Sequence, residues 1–362
     1  MSTTDWPASI TPSAVQWQLL KAGVQFTSPF NGSTQALDYI AERWAVSLSL
    51  PAAARPGPVA ALLNNLAGGV NRVNLWHPGH QQPAGTLRGS PVLGAGAARG
   101  DATLTLAGCT NANLIAGGGF EIDTNADGIS DGFSAYSAGT TGALSYFRPA
   151  GPLYAGCSGA YQQVSAATLN GNVGFFRAVP AVAGSAYTAS FDMASSVGNT
   201  LHLDIYWYNG GGSLISSSAA SFSGASDGRR SVTGVAPSGT ANAVVYVYLE
   251  STAGVAATLA IDQMQWEQAA AATDYAGPAT LLAGDFVGCS GHLFQIAADC
   301  TATDAGVMTV TLVNRVRATI AISTAVTWYR PTAQFVMPAM QGGALQVPGM
   351  LQSAALDLLE VY

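Results

Sequence analysis

The chain has 362 residues, of which 49% are hydrophobic and only 9% are charged, so it is long enough to form two domains with substantial cores. Its 20 acidic residues outnumber its 13 basic ones, the net charge is −7, and no basic cluster occurs, which argues against sequence-independent nucleic-acid binding. No segment approaches the ~20 consecutive apolar residues of a membrane-spanning helix, and the polar N-terminal segment lacks the features of a secretory signal.

The first part of the chain alternates apolar and polar residues in the manner of β-strands. Alternation begins at Val15, and a turn at Asn31-Gly32 leads to further alternating residues that end before Pro51. A helical pattern follows Pro56 and Pro58. The apolar face of this helix consists of Val59, Leu62, Leu63 and Leu66. We therefore expect a β-meander followed by one short helix.

A change of pattern near residue 110 marks the start of an inserted domain. Strand-like alternation at residues 97–106 stops at Cys109-Thr110, and the same style of sequence returns after Pro278. The intervening chain has alternating strands at 201–209, 243–250 and 259–267, joined by loops rich in Gly, Ser and Ala. Many short strands with frequent turns predict an antiparallel β-sandwich.

These patterns predict an all-β protein with one short helix and two domains. Residues 1–110 and 277–362 are predicted to form one split β-sandwich, and residues 111–276 a second sandwich inserted into it. An insertion of this kind requires the two ends of the inserted domain to lie close together in space.

Residues 123–131 carry oxygen-bearing side chains at alternate positions, as calcium-binding loops do. The candidate ligands are Asp123, Asn125, Asp127, the carbonyl group of Ile129, and Asp131. Ser134 stands where an EF-hand has Glu, and no flanking helices are evident, so we expect a shorter calcium loop. The alternative is a solvated turn. Four acids within eleven positions, counting Glu121, would repel one another without a cation, which favours calcium.

The strand at 201–209 has two faces of different character. One face is apolar, and the other carries His202, Asp204, Tyr206 and Tyr208. Flat rings stack on the CH faces of sugars while polar groups bond to sugar hydroxyls, so this second face indicates a glycan-binding cleft. Later strands are predicted to extend the cleft with Tyr246, Tyr248 and Trp266. The alternative is that these aromatic residues simply pack within the sandwich.

The outer segments carry signatures of a known family of structural proteins. The matching residues are 26–35 (Phe-Thr-Ser-Pro-Phe-Asn-Gly-Ser-Thr-Gln), Arg43-Trp44, 283–286, 291–296, 329–335 and 356–361. In these motifs the chain resembles the distal tail proteins of siphophages. The resemblance implies a split β-rich domain that forms a ring, usually a hexamer, at the distal end of the virion tail. Such a ring joins the tail tube to the tip or baseplate, near the tape-measure and hub proteins, after synthesis in the host cytoplasm.

The inserted segment resembles the jelly-roll carbohydrate-binding modules that are attached to glycoside hydrolases. The matching positions are Gly118-Gly119-Phe120-Glu121 near its start, and Ile261-Asp262 with Trp266-Glu267 near its end. The resemblance implies an antiparallel jelly-roll fold and a glycan ligand. It also implies one structural calcium ion held by an acid at each place, which makes Glu121 and Asp262 candidate ligands.

No catalytic motif is evident, because the chain lacks a Gly-x-Ser-x-Gly elbow, a phosphate-binding loop and a Cys-His pair with an orienting acid. The dispersed cysteines are expected to be buried thiols, with a Cys289–Cys300 bridge as the alternative. We therefore expect a non-enzymatic tail-tip subunit whose insert binds host-surface glycans during adsorption. The alternatives are a secreted bacterial carbohydrate-binding or adhesion protein, and a tail-associated polysaccharide depolymerase.

Overall fold

The computed structural model describes residues 2–7, 9–51, 57–155, 157, 159–195, 199–223, 227–338, 342–347 and 350–361. Within these ranges the chain forms β-strands and one helix, which confirms the predicted all-β class. Its contacts divide it into two compact units. The first unit comprises Met1–Ala107, Thr280–Thr301 and Met308–Tyr362, and the second comprises Gly108–Ala279 and Ala302–Val307.

In chain order the elements begin with β1 (Thr3–Asp5), β2 (Ala14–Thr27), β3 (Thr34–Leu50), α1 (Gly57–Leu66), β4 (Arg72–Trp76), β5 (Val92–Leu93) and β6 (Thr103–Ala107). They continue with β7 (Ser134–Thr141), β8 (Leu144–Phe147), β9 (Gln162–Pro180), β10 (Ala186–Ser195), β11 (Thr200–Asn209), β12 (Leu214–Ser223), β13 (Gly228–Val235) and β14 (Thr240–Glu267). They end with β15 (Thr280–Leu281), β16 (Phe286–Cys289), β17 (His292–Gln295), β18 (Cys300–Thr301), β19 (Met308–Thr311), β20 (Val326–Thr327), β21 (Thr332–Val336), β22 (Gly342–Val347) and β23 (Met350–Val361).

The first unit is built on a large sheet with the strand order β1-β4-β21-β23-β3-β2, and β22 pairs with β23. The pair β1–β4 is parallel, and the other pairs of this sheet are antiparallel. Strand β3 and helix α1 contribute to one core through Trp44, Val46, Leu48, Leu50, Val59, Leu62, Leu63 and Leu66. Each such buried side chain contributes roughly 1.5–3 kcal/mol. The helix follows the predicted pattern, although Pro56 lies outside the described residues.

The hairpin formed by β2 and β3 extends past the rest of the large sheet. Strand β23 pairs with β3 only between Ala45 and Leu50, whereas β2 pairs with β3 as far as the Thr27–Thr34 pair. We call residues 22–39 the hairpin arm. The arm exposes large apolar side chains, with 59% of Phe26 and 97% of Phe30 accessible, and Val24, Leu37 and Tyr39 also exposed.

A buried charge network joins distant segments of the first unit. Arg317 Nη1 donates to Glu360 Oε2 (2.9 Å) and to the backbone carbonyl oxygen of Glu42 (3.1 Å). The Trp44 N–H also donates to Glu360 Oε2, at 3.0 Å. Burial raises the pKa of Glu360, while Arg317 and the hydrogen bonds oppose that shift. His292 Nδ1 lies 3.0 Å from Arg317 Nη2, and burial together with the Arg317 charge lowers the pKa of His292 to about 4.

The second unit is an antiparallel sandwich in which two long strands belong to both layers. The first half of β14 pairs with β11 and with residues 171–180 of β9, and its second half pairs with β10 and with residues 162–169 of β9. One layer therefore has the order β12-β11-β14-β9-β7, and the other has the order β13-β10-β14-β9-β8. The core between them includes Phe175, Phe191, Leu203, Trp207 and Trp266.

Glycine permits the change of layer in β9. Gly171 has φ +147°, and a Cβ atom there would lie only 2.1 Å from the carbonyl oxygen of Ala138 on β7. It pairs with Ser251, after which the register of β14 shifts. Both long strands therefore change layer at the same place.

The short segment between β18 and β19, Ala302–Val307, belongs to the second unit, although the sequence analysis assigned it to the split domain. Backbone hydrogen bonds hold it there, from Ala302 N–H to Ala279 O (2.8 Å) and from Cys109 N–H to Gly306 O (2.9 Å). The Asp304 carboxylate also accepts the Glu121 N–H at 2.9 Å.

None of the four cysteines, all of which lie within the described ranges, forms a disulfide, so the alternative of a Cys289–Cys300 bridge is not observed. Cys109 and Cys289 are buried, while Cys157 and Cys300 are partly buried. Cys300 Sγ lies 3.5 Å from Met308 Sδ. Among the described residues, no helix combines the length and apolar character needed to cross a bilayer.

The Glu360→Ala change tests the charge network. It removes the carboxylate that faces the buried Arg317 guanidinium, so we expect the free energy of unfolding to fall by roughly 3–5 kcal/mol in denaturant titrations. Asp357→Asn on the exposed side of the same strand is the matched control, and it should change the value by about 1 kcal/mol or less. Equal losses in the two variants would show that the network is not a main source of stability.

Candidate functional site

Strands β11, β14, β9 and β7 present a continuous aromatic and polar surface on the side of their layer that faces away from the core. Strand pairing places His202 beside Tyr248, and Tyr248 beside Gly174, which pairs in turn with Tyr136. In the adjacent row, Asp204 pairs with Tyr246, which pairs with Phe176. We call this surface the aromatic face, and its members are Tyr136, Phe176, His202, Asp204, Tyr206, Tyr208, Tyr246 and Tyr248.

The rings of the aromatic face contact one another. His202 and Tyr248 stack with centroids 4.8 Å apart and an interplanar angle of 7°. Tyr136 lies edge to face against both Tyr246 and Tyr248, at 5.2 Å in each case. Gly174 lies between Tyr136 and Tyr248 in the pairing, and a Cβ atom there would be 2.8 Å from the Tyr248 Cβ. The missing side chain therefore lets these two rings meet.

Asp204 is the buried polar group of the aromatic face. Its Oδ2 accepts a hydrogen bond from the Tyr248 hydroxyl at 2.9 Å, and its Oδ1 is buried without a hydrogen-bond partner among the described residues. Burial raises the pKa of Asp204, opposed by the Tyr248 hydrogen bond and by His202. His202 Nε2 in turn lies 2.9 Å from Glu250 Oε2. The face thus combines ring surfaces with an acceptor that lacks a donor.

The structure brings together six of the seven residues predicted for this site, and the prediction for Trp266 is wrong. Trp266 is fully buried, stacks on Tyr187 at 4.8 Å, and donates from Nε1 to the Pro180 carbonyl oxygen at 2.8 Å. The reason is that the second half of β14 belongs to the other layer and turns Trp266 into the core. Sequence reasoning also missed Tyr136 and Phe176, because their strands join the site only through long-range pairing.

The predicted calcium loop is closed by its own hydrogen bonds. Gly128 N–H donates to Asp123 Oδ2 (3.0 Å), and Ile129 N–H donates to Asp127 Oδ1 (2.8 Å). Asn125 Nδ2 also donates to an Asp127 carboxylate oxygen. The two Asp131 carboxylate oxygens accept hydrogen bonds from the N–H and the hydroxyl of Thr124, and these hydrogen bonds lower the pKa of Asp131. In the described part of the chain, no three His, Cys, Asp or Glu residues are grouped to hold a metal ion. Calcium binding by this loop stays a prediction.

Glu121 and Asp262 offer a different kind of oxygen site. Asp262 is fully buried, its Oδ1 accepts the Gln263 N–H at 2.7 Å, and its Oδ2 has no hydrogen-bond partner among the described residues. Burial, and then the charges of Glu121 and Asp192, raise the pKa of Asp262 to about 7. A buried carboxylate oxygen without a donor, beside a second carboxylate, fits the oxygen chemistry of a hard cation. These two residues therefore fit calcium.

Comparison with known proteins gives structural likenesses at low identity. No family model matches the chain, and no curated protein matches it. The enzymatically active domain of tailspike protein 4 from bacteriophage CBA120 matches with a TM-score of 0.36 and 14% identity over 44% of this chain. The chain covers only 22% of that tailspike, less than two thirds of its length.

Carbohydrate-binding modules also match. The CBM22-1 xylan-binding domain of Paenibacillus barcinonensis Xyn10C gives a TM-score of 0.30 and 20% identity, over 42% of this chain and 93% of that domain. A family 11 module from Clostridium thermocellum, in complex with a mixed-linked tetrasaccharide, gives 0.29 and 15% identity, over 41% of this chain and 94% of that module.

Proposed function

We propose that the aromatic face binds a neutral host-surface glycan. The observation that carries the proposal is the row of contacting rings that strands β11, β14 and β7 place side by side. Rings of this kind offer flat apolar area to sugar CH groups, and the partly exposed Tyr206 and Tyr208 carry hydroxyls that can bond to sugar hydroxyls. Asp204 lies on the face and Glu250 lies next to it, and these acidic side chains disfavour an anionic glycan there.

We further propose that the protein binds this glycan without cleaving it. Glycoside cleavage needs two carboxyl groups that flank one bond, one as acid and one as base or nucleophile. Asp204 and Glu250 are instead engaged by Tyr248 and His202 respectively. This arrangement supports a binding role, with a tail-associated depolymerase as the alternative.

The hairpin arm supports assembly of the first unit into a ring at the distal end of a phage tail, as the sequence resemblance implies. Its exposed apolar side chains and the free edge of β2 are surfaces that a second copy of the chain would cover. A closed ring repeats this contact at every interface and leaves no unpaired arm. On this proposal, copies of the aromatic face surround the tail tip, and the tube, tape-measure and hub proteins are its neighbours.

We also propose that Glu121 and Asp262 hold a structural calcium ion in the second unit. When bound, calcium would place a positive charge beside the buried Asp262 carboxylate and coordinate the oxygen atom that has no hydrogen-bond donor. Its role would be to join the segment before β7, which carries Glu121, to the last strand, β14, which carries Asp262.

Tyr248→Ala tests the aromatic face. The change removes the ring that contacts His202 and Tyr136. We therefore expect the affinity for neutral polysaccharides, measured by affinity electrophoresis in gels that contain them, to fall roughly 5- to 30-fold. Tyr248→Phe keeps the ring but removes the hydroxyl that bonds to Asp204, and it should weaken retention less. Tyr329→Ala, which changes a 51% exposed tyrosine of the first unit, is the matched control.

Two results would contradict the binding proposal. Retention that is unchanged in Tyr248→Ala would place the glycan elsewhere. Release of reducing ends from a retained polysaccharide would support the depolymerase alternative instead.

The double change Phe26→Ser with Leu37→Ser tests the ring. Removing two exposed apolar side chains from every arm should shift the protein from a ring towards monomers in light scattering, because each burial contributes roughly 1.5–3 kcal/mol. Ile322→Ser, at a 60% exposed position outside the arm, should leave the oligomer intact. A wild-type protein that stays monomeric at all concentrations would disprove ring formation through the arm.

Calcium addition tests the Glu121 and Asp262 site. Calcium at about one hundred times its Kd should stabilise the second unit by roughly 2–3 kcal/mol, measured as a rise in Tm. Asp262→Asn should abolish the rise, whereas Asp131→Asn in the loop should preserve it. Loss of the rise in Asp131→Asn alone would assign the ion to the loop, and no rise in the wild-type protein would contradict both sites.

A further inference from the structure

A cavity of about 210 Å³ lies in the second unit, on the opposite side of β9 from the aromatic face. Phe176 belongs to the aromatic face, and the next residue, Arg177, lines the cavity together with Gly117, Asp131, Gly132, Asp304 and Ala305. An engineered cavity of ~150 Å³ accepts benzene, so this volume is sufficient for one six-membered ring.

Arg177 provides the positive charge of the cavity. Its guanidinium lies over the Phe133 ring at 4.8 Å, and its Nη1 is buried without a hydrogen-bond partner among the described residues. Burial lowers the pKa of Arg177 to about 10, opposed by the charge of Asp304. A guanidinium carries five donors, and buried polar groups in proteins are normally hydrogen-bonded. A ligand with a hydrogen-bond acceptor would therefore provide the partner that Arg177 Nη1 lacks.

The two acids of the cavity accept hydrogen bonds from other groups. Asp304 Oδ2 accepts the Glu121 N–H at 2.9 Å, and the Asp131 carboxylate accepts both the N–H and the hydroxyl of Thr124. Their negative charges remain close to the cavity. They would weaken the binding of a doubly charged anion such as phosphate more than that of a singly charged carboxylate.

Gly117 keeps a shared space open in front of these groups. It has φ +76°, and the position that a Cβ atom would take there is 3.6 Å from Arg177 Nη1, 3.6 Å from the Asp131 carbonyl oxygen and 3.7 Å from the Asp304 carbonyl oxygen. One donor group and two acceptors thus surround the same point. A molecule that matches them carries both an anionic acceptor and hydroxyl donors.

We propose that this cavity is a second carbohydrate site, which binds a sugar acid through its carboxylate and hydroxyl groups. The Arg177 guanidinium receives the carboxylate, because the planar fork of arginine matches carboxylate geometry. The carbonyl oxygens of Asp131 and Asp304 accept hydrogen bonds from sugar hydroxyls. This site is independent of the aromatic face, and it differs from that face in having the Arg177 guanidinium to balance its two acids.

Calorimetric titration of the full chain with D-glucuronate tests the proposal, with D-glucose and inorganic phosphate as comparison probes. We expect the wild-type protein to bind glucuronate at least about tenfold more tightly than either comparison probe. Glucose lacks the carboxylate that forms the charge-assisted bond, and the doubly charged phosphate is repelled more strongly by Asp131 and Asp304. Arg177→Gln should weaken glucuronate binding at least about tenfold, and Arg177→Lys should weaken it less, since the charge is kept and the fork is lost. Phosphate binding as tight as glucuronate binding would overturn the assignment to a sugar acid.

Ala305→Trp provides a test that leaves the arginine in place. Ala305 is exposed at the cavity lining, so a large side chain there should block the ligand without disturbing the core, and its far-ultraviolet circular dichroism should match the wild type. Tyr248→Ala should bind glucuronate as the wild type does, which separates this site from the aromatic face. Glucuronate binding that is unaffected by both Arg177→Gln and Ala305→Trp, or that is absent from the wild-type protein, overturns the proposal.

Discussion

The first unit is closed by contacts between chain segments that lie far apart in sequence. Strand β23 pairs with β3, and the carboxylate of Glu360 accepts a hydrogen bond from the backbone of Trp44, 316 positions earlier. The same carboxylate faces Arg317, which also bonds to the carbonyl oxygen of Glu42. Because removing one partner of a buried charge pair is strongly destabilising, the segments before and after the second unit must fold together. The intervening chain has to leave this fold and return to it.

The second unit meets that requirement at its own chain ends. Leu114 N–H donates to the Trp266 carbonyl oxygen at 2.8 Å, and the side chain of Asn113 bonds to the backbones of Met264 and Trp266. Hydrogen bonds therefore join the beginning and the end of the sandwich directly to each other. A domain with adjacent ends can be inserted into another without a large loop-closure penalty.

The sequence allowed the class of fold and most of the aromatic face to be predicted, because both depend on local alternation. His202, Asp204, Tyr206 and Tyr208 alternate with buried apolar residues in β11 as the period of two requires. Trp266 was misplaced because β14 changes layer near Ser251. Gly254, with φ +65°, marks a break in the strand there, but a glycine does not show that the two halves belong to different layers. Ala302–Val307 was assigned to the wrong unit because its partners lie far away in the chain. Long-range pairing decided each of these points.

The contacts among the rings also bear on how a shallow face could bind a sugar. Tyr136, Tyr246 and Tyr248 pack edge to face, so their side chains lose little further freedom when a ligand stacks on them. The hydrogen bond from Tyr248 to Asp204 likewise orients the carboxylate before binding. Preorganisation of this kind reduces the entropic cost but adds no new contact area, so a single face is expected to bind weakly. On the proposed ring, several faces would bind one cell surface together, and effective concentration would supply the attachment strength that one face lacks.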